Sequence, residues 1–106
     1  MAEVTEIFSK LLERTRESKV LWKSTTSPQT FVAVIGDHSV MILVNDSGQA
    51  SFRVNNKTGE TIETMSGIKY STIGWQERLR ELHELARHIA LNVDSELDKL
   101  LKALEE

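Results

Sequence analysis

The stretch from Gln29 to Val44 constrains this chain more than any other. Successive side chains of a strand point to opposite faces. A first strand, Gln29 to Ile35, puts Phe31, Ala33 and Ile35 on one face and Val32 and Val34 on the other. In a second, Ser39 to Val44, Val40, Ile42 and Val44 share one face, and Met41 and Leu43 share the other. An antiparallel strand with one wet face alternates apolar and polar residues. These two are apolar on both faces, so the pattern predicts a hairpin that needs cover on both sides. Their Val and Ile content favours strand over a short buried helix. Gly36-Asp37 between them supplies the positive φ of a two-residue turn, in the reverse of the commoner Asp-Gly order.

The flanking segments read as cover and edges. Residues 3 to 18 form a leading helix striped by Val4, Ile7, Phe8, Leu11 and Leu12. Glu6, Ser9, Lys10, Glu13 and Glu17 lie on its far side, with Glu6 and Lys10 four apart in the favourable order. That polar face is mixed rather than basic, which fits packing on a sheet and not on a membrane. Lys19 to Ser24 reads as a short strand, with Val20 and the anchor Trp22 on one face and Leu21 on the other. Pro28 lacks an N–H and separates this strand from the hairpin.

After the turn Asn45-Asp46-Ser47-Gly48, the strand Gln49 to Asn55 turns Ala50, Phe52 and Val54 inward and Ser51, Arg53 and Asn55 outward. Asn55 to Gly59 is a second hairpin loop. Asn45-Asp46-Ser47 and Asn56-Lys57-Thr58 match the glycosylation sequon, but without a secretion signal they read as turn residues. Glu60 to Met65 is a polar edge strand on which Glu63 discourages sheet-to-sheet pairing. Ser66 to Ser71 is a loop.

A long helix, Thr72 to Asn92, carries Trp75, Leu79, Leu82, Ala86, Ile89 and Val93 at alternating fours and threes, flanked by Leu85 and Ala90. A coiled coil uses such a stripe, but so does packing on a sheet, which is the reading adopted. Leu91 projects near the polar side and invites a contact of its own. The chain bends at Asn92-Val93, Asp94 is the expected N-cap of a new helix, and Glu96 and Asp98 suit its positive end. Leu97, Leu100, Leu101 and Leu104 stripe this helix, which is too short to be stable undocked. No repeat or low-complexity segment is visible. The expected fold class is therefore α+β, one domain over residues 1–106: an N-terminal helix, a five-stranded antiparallel β-meander, a long C-terminal helix and a short helix after it.

A chain of 106 residues suffices for one domain with a core of its own. A net charge of −3 leaves no basic footprint for nucleic acid. A sheet that reads bases needs exposed aromatics with basic neighbours, whereas Phe31 and Phe52 face inward and Arg53 stands alone. There is no cysteine, hence no disulfide or thiolate chemistry. No apolar run approaches the ~20 residues of a membrane span, and the N-terminus does not resemble a signal peptide, so a cytoplasmic location is expected.

The residues suggest no chemistry. His83-Glu84 begins a zinc-helix motif, but the second histidine is His88. Five residues advance a helix by about 500°, leaving the two rings about 140° apart. His38 sits beside the hairpin turn. Most carboxylates fall on solvated helix faces, where acid–base catalysis gains little. Neither enzymatic activity nor a cofactor or metal site is expected.

Lys19 with Trp22, the strands to Met65, the run Leu79-Leu82-Leu85-Ala86-Arg87 and the tail Asp94 to Leu104 together resemble a family of small bacterial helix–meander–helix proteins. The resemblance implies a helix–sheet–helix fold and no activity, and it carries over no functional residue.

If all three helices lie on one face of the sheet, the side bearing Val32, Val34, Met41 and Leu43 stays bare, and a bare apolar patch marks an association surface. The expected function is a non-enzymatic protein-interaction or adaptor module that self-associates as a homo-oligomer or binds a co-encoded protein. Its candidate surface is Val32, Val34, Met41, Leu43, Leu91, Leu97, Leu101 and Leu104. The alternative is a small-ligand pocket between sheet and long helix, lined by Trp22, Tyr70 and Trp75.

Overall fold

The computed structural model describes residues 2–106. The order is α1 (Val4–Arg16), β1 (Lys23–Ser24), β2 (Thr30–Ile35), β3 (His38–Val44), β4 (Ala50–Asn55), β5 (Thr61–Met65), a 3-10 turn (Ile68–Tyr70), α2 (Ile73–Ala90) and α3 (Val93–Glu105). The five strands form one antiparallel meander in sequence order. This is the α+β architecture read from the sequence.

The β2–β3 hairpin closes with Ile35 opposite His38. Gly36 has φ +60, and a glycine in the first central position is what a type II′ loop requires. That explains why Gly precedes Asp here. The next two loops share one design. Asn45 Oδ1 accepts from the N–H groups of Ser47 and Gln49, and Asn56 Oδ1 accepts from those of Thr58 and Glu60. Gly48 (φ +82) and Gly59 (φ +89) then take the left-handed conformation that brings the chain back.

Register places Phe31, Ile42, Phe52 and Met65 in one row across four strands, with Ala33, Val40 and Val54 beside it. These are buried under Phe8, Leu11 and Leu12 of α1 and Leu79, Leu82 and Ala86 of α2. Phe8 meets Phe52 edge-on, with ring centres 5.4 Å apart. Each such large side chain contributes about 1.5–3 kcal/mol when fully buried.

Three expectations need correction. β1 covers Lys23–Ser24 alone, because Trp22 leaves the sheet to dip under the end of α1. There its Nε1–H donates to Thr15 Oγ1 at 3.1 Å, and that hydroxyl donates to the Leu11 carbonyl at 2.8 Å. Ser18, at φ 59, makes the reversal that permits it. Asp94 is not the N-cap of α3: Asn92 is, in the left-handed conformation that asparagine tolerates, and Asp94 lies in the first turn.

The third correction concerns the hairpin's second face, over which no helix lies among the described residues. α1 and α2 share the other face with the core, and α3 touches α2 while burying no residue of its own. The radius of gyration is 15.0 Å, against about 13 Å for a compact domain of this length. A helix standing off the body accounts for the difference.

Candidate interaction surfaces

The space between sheet and α2 is filled. Trp22 is fully buried, Tyr70 is buried, and Trp75 packs edge-on against Tyr70 at 5.5 Å. Two polar residues of α2 close this layer. Gln76 Oε1 accepts from the Ala50 N–H at 2.9 Å, and its Nε2 donates to the carbonyls of Ala50 (3.1 Å) and Tyr70 (2.8 Å). His83 Nε2 lies 2.9 Å from the Gln29 carbonyl, and its ring lies against Phe31. Of the residues expected to line a pocket there, Trp22 is held by Thr15 and Tyr70 packs against Trp75. Sequence reasoning missed Gln76 and weighed His83 as the start of a zinc-helix motif. The available signal was their seven-residue spacing, which sets both on the face of Leu79 and Ala86.

α1 is tied to α2 at its end. Arg16 Nε and Nη2 donate to the two carboxylate oxygens of Glu81 at 2.6 and 2.7 Å. The hydrogen bond from Arg16 holds the Glu81 carboxyl below its usual pKa, and the same bond raises that of Arg16. Arg78 lies over the rings of Trp75 and Phe8 at 5.1 and 5.7 Å, and its Nη2 donates to Ser9 Oγ. The helix layer over the sheet is therefore closed by directional contacts.

Among the described residues, three open surfaces bear on association. The first is α3, where Leu97, Leu100, Leu101 and Leu104 are 56–75% exposed. Leu91, at the end of α2, is also exposed. The second is the uncovered sheet face. Val34 is 72% exposed there, while Val32, Met41 and Leu43 are half-buried. Register explains the difference: Lys23, Val32, Met41, Arg53 and Thr64 form one row, so long stems flank the apolar pair. Leu43 stands between Thr30 and Ser51, whereas Val34 has Ser39 on one side and no β1 partner on the other. The face is less apolar than the hairpin alone suggested, because neighbouring strands interleave polar residues into it.

The third surface is a groove between α1 and the turn end of the hairpin, enclosing about 720 Å³. Ile7, Leu11, Val20, Ile35, Val40 and Ile62 give it an apolar lining, while Glu6, Lys10, Arg14, Lys19 and His38 also border it. Lys19 meets Glu17 at 3.3 Å, whereas Lys10 and Arg14 make no ion pair among the described residues. The expected Glu6–Lys10 pair is thus not closed. This groove joins residues far apart in sequence and was not foreseen.

His83 faces the sheet, and His88 faces Glu84 at 3.0 Å. Among the described residues, no group of three or more His, Cys, Asp or Glu side chains stands close enough to hold a metal ion. No helix among them is long and apolar enough to cross a membrane. Compared with protein-family models, curated proteins and solved structures, the chain matches none.

Proposed function

We propose that this chain is a non-enzymatic interaction module that self-associates through its C-terminal helix. One observation carries the reading: α3 leaves its whole leucine stripe in water. A 13-residue helix is at the length where isolated helices are marginal. Covering the stripe contributes on the order of 4 kcal/mol before ordering costs, since these side chains are already partly shielded. A second copy or a co-encoded protein supplies the cover, in a cytoplasmic setting that suits a chain without cysteine. The open sheet face adds a smaller, interrupted apolar area.

The test is light scattering of the whole chain at high micromolar concentration. The reading expects a mass above one chain, reduced by Leu101→Asp with Leu104→Asp while far-UV circular dichroism is kept. A second reading, a small apolar ligand, is favoured by the size of the groove beside α1, which lies within the ~300–1,000 Å³ of ligand sites. Thermal-shift screening with apolar compounds addresses it, and a panel without stabilisers counts against it.

A further inference from the structure

We infer that α3 of one copy docks in the α1–hairpin groove of a second copy. This rests on the reading that the chain self-associates through α3, and it names the receiving surface.

The groove is apolar at its floor, and its border carries Lys10, Arg14 and Lys19 against the single carboxylate of Glu6. Ile7, Ile35 and Ile62 remain 40–55% exposed around the buried Leu11, Val40 and Val54. Lys10 and Arg14 stand one helical turn apart on α1 and border the same groove. Along α3, residues advance about 100° each. Asp94, Asp98 and Glu105 therefore fall on one flank of the stripe formed by Leu97, Leu100, Leu101 and Leu104. None of these three carboxylates makes an ion pair among the described residues.

The two surfaces match in sign and spacing. Asp94 and Asp98 are four residues apart, as are Lys10 and Arg14, a rise of ~6 Å on each helix. Leu97 to Leu104 covers seven residues, as does the groove side of α1 from Ile7 to Arg14, so each helix offers ~10.5 Å of length. A leucine stripe laid on the isoleucine floor brings its acidic flank to the basic border. Such complementarity sets orientation and rejects wrong partners.

A chain's own α3 does not reach its own groove. Gln76, Arg80 and His83 hold α2 to Ala50, Gly48 and Gln29, at the end of the sheet away from the β2–β3 turn. The groove opens at that turn, beside Ile35 and His38. α3 follows α2 after Leu91 and Asn92 alone, too short a link to cross the sheet. Pairing of α3 with another α3 sets acidic flanks together, since Val93 to Glu106 holds five carboxylate side chains against two lysines.

Cross-linking tests this directly, because the chain has no cysteine. Ile35→Cys and Leu101→Cys variants of the full chain are mixed and mildly oxidised. The expected product is a mixed disulfide of twice the chain mass, formed faster than either homodisulfide. In parallel, Lys10→Glu with Arg14→Glu is expected to weaken self-association at least tenfold by sedimentation, and mixing with Asp94→Lys/Asp98→Lys is expected to restore it. Dominant Leu101→Cys homodisulfide, or unchanged self-association in the charge-reversed groove, would overturn the groove assignment while leaving association through α3 intact. A strictly monomeric parent chain would overturn both.

Discussion

The side-chain amide of Gln76 hydrogen-bonds both main-chain polar groups of Ala50, one in each direction. β5 pairs with β4 only as far as Met65 opposite Phe52, so Ala50 has no strand on that side. Gln76 replaces the missing strand, and its third bond fixes the Tyr70 carbonyl. Gln76→Ala leaves these buried groups unpaired and is expected to cost about 2–4 kcal/mol. At roughly 4–8 °C per kcal/mol for a domain of this size, calorimetry should show melting lowered by about 10 °C or more.

Trp22 and Thr15 form the corresponding lock at the end of α1. Trp22→Phe removes the donor and some ring volume, and Thr15→Val removes the acceptor. Each is expected to destabilise by about 1–3 kcal/mol. The double variant should cost less than the sum by roughly 1 kcal/mol, because the two act through one bond. Urea unfolding of the four proteins gives this difference.

The Arg16–Glu81 bridge predicts a pH dependence. The folded state lowers the Glu81 pKa, chiefly through the hydrogen bond from Arg16. Its stabilisation is therefore present above the unfolded carboxyl value of about 4.3 and disappears as pH falls through the lower folded value. Glu81→Gln should remove that part of the acid-side loss in a stability–pH profile. Both side chains are partly exposed, so the effect should be small and should shrink with added salt.

Val34 is expected to be silent. It is 72% exposed at an end of the uncovered face, and its direct partner in β3 is Ser39. Val34→Thr should leave stability within about 0.5 kcal/mol by urea unfolding, and self-association by sedimentation should not change. A large loss of association would move the main contact from α3 to the sheet.

The meander was legible because local signals agreed: Gly36 between two valine-rich runs, Asn-x-x-Gly at both later loops, and a three–four stripe in each long helix. Other features depend on partners distant in sequence. The length of β1 depends on Trp22 finding Thr15 rather than a strand neighbour. The wetting of Val32, Met41 and Leu43 depends on which polar residues Lys23, Arg53 and Ser51 bring alongside. The shared design around Asn45 and Asn56 was open to inspection, since the two motifs lie one strand apart, but it is too short to register as a repeat. The roles of Gln76 and His83 needed the sheet edge, because an isolated polar residue on an apolar stripe does not name its partner. Lys10 and Arg14 gained a setting only when α1 met the hairpin turn.

Sedimentation velocity of the intact chain at about 100 µM, beside Leu101→Asp/Leu104→Asp, tests the central claim most directly. Self-association through α3 predicts a parent species heavier than one chain and a one-chain variant with unchanged secondary structure. A parent that sediments as one chain, or a variant that associates as the parent does, would contradict it.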